Sequence, residues 1–108
     1  MSYKISKELF EKVMKVELAG FSINEENVIG YTFNKIGYFE ISVDTFFFKC
    51  KEWALNEGYW LMTWKHKIGA GCKIFSGHLN IRVDERLDAD SEQQAVFDAC
   101  QWILDKDK

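Results

Sequence analysis

The chain has 108 residues, with seventeen acidic and fourteen basic side chains and a formal net charge of −3. That length is one domain, and the acidic balance lacks the basic face from which nonspecific nucleic-acid binding draws its affinity, so direct nucleic-acid binding is disfavoured. No run reaches the roughly eighteen apolar residues of a membrane span and no apolar leader opens the chain, so no membrane partner is expected.

Ser6 can cap a first helix whose stripe is Leu9, Phe10, Val13, Met14 and Leu18, stopped by Gly20. Asn24-Glu25-Glu26-Asn27 reads as a turn. Val28 to Phe33 and Tyr38 to Ile41 then form a hairpin around Asn34-Lys35-Ile36-Gly37. From Ser42 to Asn56 the period becomes helical. Val43, Phe47, Cys50 and Ala54 make the stripe, with Phe46 and Trp53 beside it, and Gly58 ends it. Phe46-Phe47-Phe48 spreads three rings over about 200° of that helix, so it is clamped on two sides or shows a ring to solvent.

Tyr59 to Trp64 is a strand with two apolar faces: Tyr59, Leu61 and Thr63 on one, Trp60, Met62 and Trp64 on the other. Such a strand is central and covered twice, or one face is a binding surface; the covered strand is the commoner case. Ile68-Gly69-Ala70-Gly71 reads as a loop, Cys72 to Phe75 as a short strand, and Leu79 to Val83 as a strand with one dry face. Ser91-Glu92-Gln93-Gln94 fits a capping box for the last helix, whose stripe is Val96, Cys100 and Ile103. The expected fold is α+β, in the order α-β-β-α-β-β-β-α, with one antiparallel sheet of about five strands and three helices in a single domain over residues 1–108.

The three cysteines, Cys50, Cys72 and Cys100, leave one unpaired under any disulfide scheme, which favours reduced thiols and a cytoplasmic setting. Cys50 and Cys100 lie on apolar helix stripes and read as core atoms. Cys72, near His66, Lys67 and Lys73, is the one thiol with an electropositive neighbourhood to favour reactivity. A metal or small-ligand site could be drawn from His66, Cys72 and His78, but their spacing matches no zinc pattern, and the chain reads as having no cofactor. No nucleophile elbow, zinc-protease motif or phosphate loop is present, so an enzyme is not expected.

Two features suit a partner instead. Nine Phe, four Trp and four Tyr are more rings than a domain this small readily hides. Trp60, Met62 and Trp64 form one candidate contact surface. The acidic run Asp84, Glu85, Asp88 and Asp90, leading to Glu92, forms another, against the plainer reading of a solvated strand end running into a helix N-terminus.

The run Ile41-Ser42-Val43-Asp44, then Lys49-Cys50-Lys51-Glu52-Trp53-Ala54-Leu55-Asn56-Glu57-Gly58-Tyr59, together with the ending Ala95-Val96-Phe97-Asp98-Ala99-Cys100-Gln101-Trp102-Ile103-Leu104-Asp105, resembles small phage and prophage proteins related to the phage ABA-sandwich domain. The resemblance spans residues 28 to 105 and departs at the triple Phe and at Gln93, where relatives often carry Pro. It implies an α/β sandwich, a mobile-element origin and a bacterial host cytoplasm, and it carries no catalytic residue. Together with the aromatic excess, the acidic run and the absence of catalytic motifs, it leads to an expected role of docking onto a host protein such as a defence nuclease complex, as small acidic anti-CRISPR inhibitors do. A self-associating accessory protein, dimeric through the tryptophan strand, is the alternative of the same binding class.

Overall fold

Three serines start the three helices by one device. In the computed structural model, which describes residues 3–24, 28–32, 37–76 and 81–106 (without the side chains of 66 and 81–88), Ser6, Ser42 and Ser91 are the N-caps. Each hydroxyl accepts the N–H three residues on, at 3.0–3.1 Å, satisfying a helix-end donor that has no partner within the helix. The helices are α1 (Lys7–Met14), α2 (Val43–Asn56) and α3 (Glu92–Asp105).

The first helix is shorter than its apolar pattern. Lys15 turns into the left-handed region at φ 58°, its N–H bonds the Glu11 carbonyl, and the Glu11 carboxylate then accepts the N–H of Leu18 at 2.8 Å. Leu18 is still buried, but from the connection and not from the helix stripe. Gly20, expected as a helix stop, opens a strand that the sequence reading lacked.

The strands are β1 (Gly20–Ile23), β2 (Val28–Thr32), β3 (Tyr38–Ser42), β4 (Tyr59–His66), β5 (Gly69–Ser76) and β6 (Ile81–Ala89). They form two separate antiparallel sheets, β1-β2-β3 and β4-β5-β6, in place of the single sheet of about five strands. The α+β class and the antiparallel pairing stand. The split follows from α2, whose fourteen residues stand between the two meanders and pack against β4 of one and β3 of the other.

Two further boundaries differ. The Gly69-Ala70-Gly71 segment is strand, not loop: His66 pairs with Gly69, so Lys67 and Ile68 make a two-residue turn, and Ala70 and Gly71 are buried. The last strand runs on through Asp84, Glu85 and Asp88 to Ala89, so most of the acidic run lies within the strand, and of its residues only Asp90 stands between the strand's end and the start of α3. Residues 25–27, 33–36 and 77–80, on which most of the Asn24–Asn27 turn, most of the Asn34–Gly37 hairpin loop and the start of the Leu79–Val83 strand were expected, lie outside the described residues.

Phe10, Phe46 and Phe97 join the elements into one core. The Phe10 and Phe46 rings stack at 5.0 Å, Phe46 and Phe97 meet at 5.5 Å, and Phe10 also touches Phe21 of β1 and Tyr31 of β2. The first sheet therefore closes on α1. The second sheet is covered on one face by α3, which contacts all three of its strands, and by α2 over β4. The triple Phe divides by helical geometry: Phe46 is fully buried, Phe47 half-buried and Phe48 65% exposed.

Candidate functional site

Strand β4 alternates, so its odd residues and its even residues lie on opposite faces of the sheet. The odd set faces the helices. The Tyr59 ring meets Trp102 of α3 edge-on at 6.3 Å, Leu61 packs against the core, and Thr63 Oγ1 donates to the Glu92 carboxylate at 3.2 Å. Trp60, Met62 and Trp64 are thereby placed on the other face, away from the helices. Among the described residues, the buried core and the side chains packed on it include none of the three.

Among the described residues, the strand is thus neither central nor covered twice. It is an edge strand of its sheet, with helices on one face only. The alternation made both faces apolar, and only the approach of α2 and α3 decides which one is dry.

Cross-strand pairing extends this outer face. Register sets Phe75 opposite Trp60, Lys73 opposite Met62 and Gly71 opposite Trp64. The Trp60 and Phe75 rings stack at 4.2 Å and 8°, a pairing worth about 0.5–1.5 kcal/mol beyond the area it buries. Gly71 presents no side chain to Trp64, and the Lys73 ammonium lies 5.6 Å from the Trp64 ring centre. Met62 between them is 42% exposed. The outcome is a row of two indoles and a thioether, braced by a phenyl ring and a cation, on a paired strand.

The sequence points to Lys73 only as a neighbour of Cys72 and does not single out Phe75. Their signal is the alternation of Lys73 and Phe75 against buried Cys72 and Ile74, which assigns them to the face of Trp60 once the pairing is known.

The acidic candidates lie along β6 and just past its end. Asp84 pairs with Ile74 and Glu85 with Lys73 in the β5–β6 register, which shifts between Ile74 and Phe75. Asp88 lies further along β6, and Asp90 is exposed after it. The side chains of Asp84, Glu85 and Asp88 lie outside the described residues.

The cysteine expectations divide. Cys50 and Cys100 are fully buried core groups, and the Cys100 thiol donates to the Cys50 carbonyl at 3.5 Å. Burial pushes the Cys50 thiol far above its ordinary range, with the neighbouring Cys100 adding to it. Cys72 is corrected: it is equally buried, and desolvation first, then Cys100, push its thiol up to about 12 despite Lys51 acting the other way. A thiol held protonated is neither nucleophile nor ligand. His78 and the side chain of His66 lie outside the described residues. Among the described residues, no group of three or more His, Cys, Asp or Glu side chains could hold a metal ion. No helix among them is long and apolar enough to cross a membrane.

The chain matches no protein-family model, and neither curated proteins nor solved structures give a significant match to it.

Proposed function

We propose that the protein is a non-enzymatic binding protein, a phage- or prophage-encoded accessory that docks onto a host protein in the manner of an anti-CRISPR inhibitor. The supporting observation is the outer face of the second sheet, where Trp60, Met62 and Trp64 stand in one row off the core, stiffened by Phe75 and Lys73. Tryptophan anchors of this kind, held in place before binding, carry a disproportionate share of interface energy. The host and the mobile-element origin rest on the resemblance of the two helical runs to phage proteins. The alternative of a metal module draws nothing from the described geometry, since Cys72 is buried and protonated.

Affinity capture from a bacterial lysate tests the reading when the wild-type chain and the Trp60→Ala, Trp64→Ala double variant are compared side by side. A stoichiometric protein held by the wild type should be lost by at least about tenfold from the variant, as expected when hot-spot tryptophans are removed. A partner retained equally by both would move the contact elsewhere, and no stoichiometric partner at moderate salt would remove the proposal.

A further inference from the structure

The second sheet ends at β4, and what lies along that edge is close to a palindrome. An antiparallel strand pair related by a two-fold axis normal to the sheet keeps each side chain on its own face, so only registers centred on a residue are possible. For an eight-residue strand two registers pair seven residues. Centred on Thr63, Lys65 would stand opposite Leu61 on the helix-covered face, and Trp60 opposite His66. Centred on Met62, Trp60 stands opposite Trp64 of the mate, Leu61 opposite Thr63, Tyr59 opposite Lys65, and Met62 opposite itself. That register sets aromatic against aromatic on the outer face and brings no two like charges together.

A second, independent feature lies on the same side. Helix α2 overlies β4, with α1 against it through the Phe10–Phe46 stack and α3 through the Cys100–Cys50 bond. Its remaining stripe carries Phe48 and Leu55, seven positions apart and 65% and 60% exposed. Apolar residues at heptad spacing on an otherwise polar flank suit a parallel or antiparallel helix neighbour.

We propose that two copies of this chain pair antiparallel through the outer edge of β4, with Met62 on the two-fold axis, joining their second sheets into one six-stranded sheet. The two α2 helices then lie side by side on the inner face, Phe48 and Leu55 between them. The outer face becomes a continuous ladder of four tryptophans, so dimerisation doubles the aromatic platform and is independent of what that platform binds. An edge about 26 Å long and about 20 Å deep, one sheet layer and one helix layer, covers about 500 Å² per copy. The total of about 1,000 Å² is at the lower limit for a specific interface, which makes this a reversible, concentration-dependent dimer.

Cross-linking reads the register directly. In the Met62→Cys variant the two introduced thiols face each other across about 4.5–5.5 Å between Cα atoms, within disulfide reach. In Lys65→Cys they are six positions apart along the strand, about 20 Å. The three native cysteines are buried and do not compete. With diamide as oxidant, Met62→Cys should form a covalent dimer at least about tenfold faster than Lys65→Cys, given that difference in reach. Sedimentation equilibrium from about 5 to 500 µM should show the wild type passing from monomer to dimer, and Phe48→Glu with Leu55→Glu should weaken that association at least about tenfold. Both substituted residues are exposed, so the double variant keeps its fold, which a matching circular dichroism melt verifies. A wild type that stays monomeric over that range, equal cross-linking of the two cysteine variants, or a dimer untouched by the double variant overturns the proposal.

Discussion

The side-chain amide of Gln94 bonds both backbone groups of Lys4: its Oε1 accepts the Lys4 N–H at 2.8 Å and its Nε2 donates to the Lys4 carbonyl at 2.9 Å. Ninety positions apart, the two are joined as a strand neighbour would join them. The capping box expected at Ser91 is therefore only half made. Ser91 caps the Gln94 N–H, while the Gln94 side chain is turned to the N-terminal segment and to Asp98. Ser6 adds a second tie, its hydroxyl donating to Gln101 Oε1 at 2.6 Å.

Gln94 should consequently matter beyond its own helix. Gln94→Ala removes two exposed hydrogen bonds to Lys4 and one to Asp98, and should cost about 1–2 kcal/mol, read by urea denaturation. Gln94→Glu keeps the acceptor, loses the donor and puts a carboxylate beside Asp98, so it should cost at least as much. A Gln94→Ala protein with unchanged midpoint would mean that the Gln94–Lys4 bonds contribute nothing to stability.

Gly30 and Tyr38 form a second pair, eight positions apart across the β2–β3 hairpin. A Cβ built at Gly30 would collide with the Tyr38 ring, its hydroxyl and Cε2 included. The ring lies diagonally over the glycine, since Tyr38 itself pairs with Thr32 and Gly30 with Glu40. Gly30→Ala should cost about 1 kcal/mol by displacing that ring, and the cost should vanish in a Tyr38→Ser background. Additive effects in the double variant would show that the ring does not press on this position.

These pairs explain why some of the fold is legible in the sequence and some is not. Helix starts depend on a serine and the N–H three residues on, so Ser6, Ser42 and Ser91 can be read locally. Strand partners depend on contacts far apart, and the alternation of β2 and β4 looks the same whether they share a sheet or not. β1 is four residues behind a glycine, too short to show a period. For the candidate site, residue type and spacing named Trp60, Met62 and Trp64, but period two marks two faces without saying which one the helices cover. Gly69-Ala70-Gly71 suits a loop and a strand equally well, and only its pairing with β4 and β6 distinguishes them.

Three consecutive phenylalanines offer a test of that division. Phe46 touches both Phe10 and Phe97, so Phe46→Ala should cost about 3–5 kcal/mol, the range for a buried ring replaced by a cavity. Phe48→Ser should change stability by less than about 0.5 kcal/mol, as exposed positions do, in dilute solution where the chain is monomeric. Phe47, half-buried with Lys51 over its ring, should fall between them. Thermal or urea melts of the three single variants rank them. An equal cost at Phe46 and Phe48 would contradict the orientation of α2.

Cys72 makes the stability of the protein depend on alkaline pH, with a definite sign. Its folded thiol, at about 12, lies above the ordinary 9.0 because burial disfavours the thiolate. Above pH 9 the unfolded chain loses a proton that the folded chain keeps, so the unfolded state gains. The stability contributed by the neutral thiol is complete below pH 9 and is lost as the pH rises towards 12, at up to about 1.4 kcal/mol per pH unit for this group. Cys50, shifted in the same direction, steepens the fall. Urea midpoints taken from pH 8 to pH 10.5 should decline in the wild type and decline less in Cys72→Ala, which lowers the overall stability but removes this titration. In the native protein at pH 8, Cys72 should also resist thiol-specific alkylation that modifies all three cysteines in urea. Rapid labelling of Cys72 without denaturant, or a slope unchanged by Cys72→Ala, would show that the thiol is not held neutral in the core.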